Sequence, residues 1–115
     1  MIPLIIVSGL VLLTLYTYTG EALISSEEAK KLIASGKIKK VVDVRTSMEW
    51  NAGHYPKAIH IPTGNISRET TKQLPKKGIL VYCNTGQRAR YAAARLTELG
   101  FKEVYYIAGH YSSIQ

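Results

Sequence analysis

The sequence predicts an α/β fold in which a central, mainly parallel sheet is flanked by helices. Short apolar runs alternate along the chain with segments of helical periodicity, an order typical of parallel sheets covered on both faces. The runs at 41–44 and 79–82 are almost continuously apolar, as strands buried on both faces are. A chain of 115 residues has room for one such domain, which we assign to residues 21–115.

The amino-terminal segment, residues 1–20, is predicted to precede this domain. Residues 2–18 carry no charged side chain, and a helix of that length spans about 25 Å, a little less than a bilayer core. We expect a single transmembrane anchor with Tyr16 and Tyr18 at the headgroup level. A cleaved signal peptide is one alternative, although the segment lacks a basic start and a small-residue cleavage site. A buried segment of a soluble domain is the other.

Basic residues follow this segment, whereas none precedes it. By the positive-inside rule, the lysines between positions 30 and 40 place the folded domain of a single-pass protein in the cytoplasm. A cleaved signal peptide would instead predict an exported domain. The single cysteine, Cys83, excludes an internal disulfide and is compatible with a reducing compartment.

The formal net charge of +7 is high for a chain of this length. Such a charge can attract anionic substrates, bind anionic lipid beside an anchor, or reflect a solvated lysine-rich surface. Nucleic-acid binding is not expected, because the basic residues are scattered and no reader motif occurs. A metal site is not expected either, because one cysteine and three dispersed histidines give no ligand spacing.

The predicted domain begins with a short junction at 19–23 and a helix. Ser25 and Glu28 have the spacing of a capping box at the start of that helix. Gly36 is placed to end it. The apolar face of the helix is formed by Ala29, Leu32 and Ile33.

The later elements alternate in type. We predict strands or extended segments at 41–44, 58–62, 79–82 and 104–107. We predict a helical turn at 47–51, a helix at 65–74 that Pro75 ends, and a helix at 90–99 that Gly100 caps.

Cys83 lies between a predicted strand and a predicted helix. A turn of this kind aims backbone N–H groups and the positive end of the helix dipole at one point. A thiolate is stabilised there and becomes a nucleophile. Gly86 permits the positive φ of a tight loop, and Arg88 offers a forked cation for an oxyanion. An inert buried cysteine is the alternative interpretation.

Polar residues after the predicted strand at 41–44 form a second candidate group. Asp43 is expected to fix a neighbouring loop by accepting backbone N–H bonds. Arg45 is expected to pair with Glu49, four residues later, and a plain surface ion pair is the alternative. His54 is expected to stabilise a loop, with proton donation near the thiol as the alternative.

Together these motifs resemble the single-domain sulfurtransferases of the rhodanese family. The catalytic loop of that family has six residues, opens with Cys and often has Gly at its fourth position, and residues 83–88 match it. The family signature before the loop is an Asp-x-Arg triplet, Glu with an aromatic residue, Gly-His, and a small-residue strand ending in Pro. The residues that match it in order and spacing are Asp43-Val44-Arg45, Glu49-Trp50, Gly53-His54 and Ala58 to Pro62.

The resemblance implies a rhodanese-like fold and a thiosulfate sulfurtransferase that needs no cofactor. Cys83 would take a sulfane sulfur from a small anionic donor such as thiosulfate, forming a persulfide. A thiophilic acceptor, cyanide or a thiol, would then remove it. Arg88 would bind the oxyanion of the donor, and Asp43 and Arg45 would brace the loop. The N–H groups that would hold the terminal sulfur belong to Asn84, Thr85, Gly86, Gln87 and Arg88.

Two other functions remain open. Asn84 stands where many family members have a basic residue, and both Asn84 and the predicted anchor are compatible with a protein-to-protein sulfur carrier or a regulatory module with little thiosulfate activity. Phosphatase or arsenate-reductase chemistry is the second alternative. Related phosphatases place five residues between Cys and Arg, whereas this chain places four, residues 84–87, so that the shorter loop favours sulfur transfer.

Overall fold

A computed structural model of the protein describes residues 21–115, in which five parallel strands form one sheet. The strands in chain order are β1 (Ala22–Leu23), β2 (Lys40–Asp43), β3 (Ile59–His60), β4 (Lys77–Tyr82) and β5 (Lys102–Tyr106). Their order across the sheet is β1-β5-β4-β2-β3. The helices are α1 (Ser26–Ala34), α2 (Ser47–Ala52) and α3 (Gln87–Glu98), with 3-10 turns at Thr63–Asn65 and Tyr111–Ile114. The predicted parallel α/β fold is confirmed.

Strand β4 lies at the centre of the sheet and supplies both layers of the core. Ile79 and Val81 pack on one face with the buried residues of α3, which are Ala89, Ala92, Ala93 and Leu96. Leu80 and Tyr82 pack on the opposite face, where Ala29 of α1 is buried. Since successive strand residues point to opposite faces, two covered faces explain why β4 is apolar from Ile79 to Tyr82.

Helix α1 begins after Ser25 and ends before Gly36, at the positions that the sequence predicts, and the Ser25 half of the predicted capping box is present. The Ser25 hydroxyl accepts a hydrogen bond of 3.1 Å from the Glu28 N–H, which satisfies one of the free amides of the first turn. Gly36 follows the helix with a φ of +82°, the left-handed conformation that glycine adopts at low cost.

The predicted helix at 65–74 is wrong. The structure has the 3-10 turn Thr63–Asn65 followed by hydrogen-bonded turns up to residue 73. Hydroxyl groups explain the difference: Thr70 Oγ1 donates to the Asn65 carbonyl, five residues back, at 2.6 Å, and the Ser67 hydroxyl accepts the Thr70 N–H at 3.2 Å. Such side-chain bonds offer the backbone an alternative to the helical ladder.

The amino-terminal edge of the domain also differs from expectation. The predicted junction at 19–23 contains strand β1, whose Ala22 and Leu23 pair with Tyr105 and Tyr106 of β5. Two residues are too few to show a strand periodicity. The predicted anchor at 2–18 lies outside the described residues. Among residues 21–115, no helix has the length and apolar character needed to cross a bilayer.

Candidate active site

Cys83 follows β4 directly and is fully buried. Its Sγ atom accepts hydrogen bonds from the Gly86 N–H at 3.1 Å and from the Ala89 N–H at 3.3 Å. The carboxyl end of β4 and the first turn of α3 therefore enclose the sulfur between two backbone donors. Because the helix dipole also favours negative charge at this position, the loop can stabilise a sulfur anion.

Gly86 shapes the loop through two independent requirements. Its φ of +98° lies in the left-handed region, and it forms the N-cap of α3. A Cβ atom at this position would lie 3.0 Å from the Cα atom of Ala108. Conformation and space therefore both favour glycine here, and the positive φ predicted from the sequence is confirmed.

The other predicted loop residues differ in exposure. Thr85 and Gln87 are exposed, whereas Asn84 is half-buried. The Asn84 Nδ2 group donates a hydrogen bond of 2.6 Å to Glu49 Oε2. Asn84 Oδ1 is buried and has no hydrogen-bond partner within the described part of the chain.

Arg88 is paired with Glu49 rather than left free for an oxyanion. Its two terminal nitrogens donate to the Glu49 carboxylate at 2.7 and 3.0 Å, in the bidentate geometry that arginine favours. The hydrogen bonds that Arg88 donates to Glu49 raise the pKa of Arg88, and the charges of Glu49, Cys83 and Asp43 raise it further. The guanidinium thus lies within electrostatic reach of the thiol while its fork is occupied by a carboxylate.

Glu49 is held at the start of α2 by a capping box. The Thr46 hydroxyl accepts from the Glu49 N–H at 3.2 Å, and Glu49 Oε1 accepts from the Thr46 N–H at 3.1 Å. Donors from Arg88 and Thr46 lower the pKa of Glu49 from 4.5 to about 2. The carboxylate is therefore ionised at neutral pH and oriented by α2 toward the Cys83 loop.

The predicted Arg45–Glu49 pair is wrong, because Arg45 turns back toward Asp43. The Arg45 guanidinium donates to both Asp43 carboxylate oxygens at 2.8 to 3.1 Å and also donates to the Gly53 carbonyl. Asp43 accepts the Arg45 N–H at 2.9 Å, as expected for a residue that fixes a loop. Burial opposes the charge of Arg45, but the hydrogen bond and attraction of Asp43 outweigh it and raise the pKa of Arg45.

His54 contacts its own loop, in agreement with the preferred expectation. Its Nδ1 atom lies 2.9 Å from the Trp50 carbonyl oxygen, and its ring stacks on Trp50 with centroids 3.4 Å apart. His60 stacks on Trp50 as well, at 4.8 Å. Trp50 therefore anchors two histidines through packing.

Sequence reasoning missed one contributor to the site and gave another the wrong partner. Ala89 supplies the second amide to Cys83, one residue beyond the predicted loop. The sequence contained a signal for this role, because Ala89 lies at the start of a helix, where the N–H groups have no partner within the helix. Glu49 was identified but given the wrong partner. Its contacts with Asn84 and Arg88 cross 35 and 39 residues of sequence, which no local pattern reveals.

The chain is similar in sequence to proteins of one known family. Residues 25–115 match the rhodanese-like domain family. The thiosulfate sulfurtransferase GlpE of Coxiella burnetii is 32% identical over 90 residues, which cover 78% of this chain and 83% of that protein. The Bacillus subtilis protein YrkF, named as a sulfur carrier protein, is 31% identical over 81 residues, which cover 70% of this chain but 44% of YrkF.

The fold also matches that of a solved structure. The human single-domain sulfurtransferase TSTD1 superposes with a TM-score of 0.66 at 25% identity, covering 82% of this chain and 95% of the human chain. The family resemblance drawn from the sequence is thereby confirmed. With a family match over residues 25–115 and a relative that is 32% identical over 78% of its length, the chain belongs to the rhodanese-like domain family.

Proposed function

We propose that this protein is a sulfurtransferase in which Cys83 carries a sulfane sulfur as a persulfide. The observation that supports this function best is the position of the Cys83 Sγ atom, which accepts two backbone N–H bonds at the start of α3. Backbone donors that are already oriented stabilise an anionic sulfur without reorganisation. An inert core cysteine has no need for such donors.

The reaction is a double displacement with a covalent intermediate. The Cys83 thiolate attacks the outer sulfur of the donor, a new S–S bond forms, and the donor's own bond to that sulfur breaks. With thiosulfate as the donor, sulfite leaves with the electron pair. An acceptor then attacks the terminal sulfur of the persulfide, so that cyanide becomes thiocyanate or a thiol becomes a new persulfide, and the Cys83 thiolate is restored.

The loop residues have separate roles in this scheme. The amides of Gly86 and Ala89 face the sulfur and would hold the persulfide, with the remaining loop amides from Asn84 to Arg88 completing the cradle. Asp43 and Arg45 brace the neighbouring loop through the Gly53 carbonyl. No step requires a metal or an organic cofactor.

A protein-to-protein sulfur carrier is the second candidate function. The side chain after Cys83 is the neutral Asn84, which is bonded to Glu49 and adds no cation for a small anionic donor. YrkF, named as a sulfur carrier protein, is among the similar proteins. In this function the same Cys83 persulfide forms, but both the donor and the acceptor are proteins.

Membrane attachment through residues 2–18 stays part of the proposal, with the domain on the cytoplasmic side. It is supported by the uncharged run and by the lysines that follow it. Fractionation of the expressed full chain tests it: recovery with membranes, and release only by detergent, is the expected result. Recovery in the supernatant with the segment intact would contradict it, and export with the segment removed would favour a signal peptide.

Intact-mass measurement tests the sulfur transfer itself. The reduced chain is treated with thiosulfate or with an alkyl persulfide, and we expect a gain of one sulfur atom that cyanide removes as thiocyanate. Cys83→Ser should gain none and form no thiocyanate, while its circular dichroism spectrum stays that of the parent. Sulfur transfer that survives in Cys83→Ser would overturn the proposed mechanism.

A further inference from the structure

Glu49 occupies the hydrogen-bonding groups that an anionic donor would need. Two side chains of the Cys83 loop donate to its carboxylate: Arg88 through two nitrogens at 2.7 and 3.0 Å, and Asn84 through Nδ2 at 2.6 Å. An oxyanion competing for these donors has to displace a carboxylate that the capping box of α2 also holds. The loop therefore already contains an anion, supplied by its own chain.

The charge balance of the site points in the same direction. Arg88 lies close enough to Cys83 for their charges to interact, and the pKa of Arg88 is raised mainly by Glu49. The pKa of Glu49, about 2, keeps the carboxylate ionised at neutral pH. Within the Cys83 loop, the positive charge of Arg88 is thus matched by the negative charge of Glu49. The loop is then left with its backbone amides to offset the two negative charges of thiosulfate.

Sulfane-sulfur donors differ in the charge they bring to this site. Thiosulfate places an oxyanion beside the reacting sulfur, where the Glu49 carboxylate repels it. A persulfide has no oxyanion, and its protonated form, R–S–S–H, carries no charge. When the Cys83 thiolate attacks its outer sulfur, the R–S bond to that sulfur breaks, the thiolate R–S⁻ leaves with the electron pair, and the proton remains on the transferred sulfur.

We propose that Glu49 determines donor specificity, so that the Cys83 loop accepts persulfides and disfavours thiosulfate. This inference rests on the proposed sulfurtransferase function and names its donor class. Glu49 acts through Arg88 and Asn84 rather than by touching the reacting sulfur. Glu49 therefore selects the donor and takes no part in breaking or forming the bonds to sulfur.

The test compares donors in Glu49→Gln, which keeps the side-chain shape and removes its charge. The donors are thiosulfate, β-mercaptoethanol persulfide as a small-thiol source, and persulfidated serum albumin as a protein source. We expect kcat/KM for thiosulfate to rise by about tenfold in the variant, mainly through KM, because one repulsive charge is removed and Arg88 is released. The kcat/KM values for the persulfides should change by a smaller factor, because these donors present no oxyanion to Arg88, so the ratio of thiosulfate to persulfide kcat/KM should rise.

A matched control removes a different carboxylate. Glu98 lies at the far end of α3 in an exposed pair with Arg95, so Glu98→Gln changes the net charge equally but leaves the site intact. We expect the ratio of thiosulfate to persulfide rates to be that of the parent protein. A rise equal to that of Glu49→Gln would assign the effect to net charge and overturn the inference.

Other outcomes separate this inference from the proposed function. A parent protein that uses thiosulfate as well as it uses persulfides overturns the selection by Glu49 without any variant, and sulfurtransferase function survives. The inference is likewise overturned when Glu49→Gln lowers the rates for all donors in parallel, the result expected of a purely structural residue. Absence of sulfur on Cys83 with every donor overturns both.

Discussion

The hydroxyl group of Tyr82 donates a hydrogen bond of 2.6 Å to Oδ2 of Asp43, joining the carboxyl ends of the two central strands β4 and β2. Both side chains are fully buried. The same hydroxyl accepts the Tyr55 N–H at 3.0 Å. Burial and the bond to Asp43 raise the pKa of Tyr82, which stays a neutral donor. The residue before Cys83 is thereby tied to the network that positions its neighbouring loop.

Tyr82→Phe tests this connection. The change leaves the Tyr55 N–H and one Asp43 oxygen with a missing partner in a buried site, so we expect a loss of about 1.5–3 kcal/mol in the free energy of unfolding. Urea denaturation measures it. Tyr91→Phe, at a tyrosine that is 66% exposed, should change the same quantity by less than about 0.5 kcal/mol. Equal effects of the two changes would show that the buried bond contributes nothing specific.

Asp43→Asn is expected to be more damaging than Tyr82→Phe. Arg45 is buried, and without the carboxylate its charge loses its ion-pair partner, which typically costs about 3–5 kcal/mol. A large drop in the urea midpoint is the expected result. Glu69→Gln removes a carboxylate from an exposed pair with Lys72 and should cost about 0–1 kcal/mol. A small loss in Asp43→Asn would mean that water reaches Arg45.

The fold and the cysteine loop could be predicted because their signals are local. Strand β4 is apolar on both faces, and the helix after Cys83 has its small residues at helical spacing, so both were visible in the sequence. The partner of Glu49 was not visible. A spacing of four residues brings side chains together only inside a helix, and Arg45 lies before the N-cap of α2, where its side chain turns to Asp43.

The turns at 65–74 could not be predicted from local sequence signals. Its composition permits a helix, and the choice between helix and turn depends on where hydroxyl groups find acceptors. Thr70 bonds to the Asn65 carbonyl, five residues back, which a regular helix does not provide. Side-chain hydroxyls compete here with backbone N–H groups for the same carbonyl acceptors. The spacing of apolar residues in the sequence does not show which of the two donors binds.

Gly86→Ala should remove sulfur transfer while leaving the chain folded. The new Cβ would lie 3.0 Å from the Cα atom of Ala108, a contact that requires the backbone to give by a few tenths of an ångström. We expect the loop to relax so that the Gly86 N–H loses its hydrogen bond with the sulfur. Strain at a φ of +98° adds about 1–3 kcal/mol of destabilisation. The measurements are sulfur loading by intact mass and stability in urea.

Gly36→Ala is the matched control for that change. Gly36 has a φ of +82°, but a Cβ atom there meets nothing within 4 Å. We expect a loss of about 1–2 kcal/mol from the left-handed conformation alone, with sulfur loading unchanged. If both variants load sulfur as the parent does, the Gly86 amide is not needed for the reaction. If both variants lose loading, general destabilisation is the cause.

The contribution of Glu49 to stability should depend on pH with a definite sign. Its pKa falls from 4.5 to about 2 on folding, so above pH 4.5 the carboxylate is ionised in both states and its contribution is complete. As the pH falls through this interval, the unfolded chain binds the proton first, and the contribution is lost by about pH 2. Because the Glu49 and Arg88 side chains are 27% and 37% exposed, we expect a contribution of only about 1 kcal/mol.

Urea titrations of the parent protein and Glu49→Gln measure this dependence. The difference in their free energies of unfolding should be constant between about pH 5 and pH 7, and should narrow steadily in more acidic solution. Glu98→Gln controls for the loss of one surface charge. A difference that widens on acidification would mean that folding raises the pKa of Glu49 instead of lowering it. The ionised pair with Arg88 would then not be the form that stabilises the Cys83 loop.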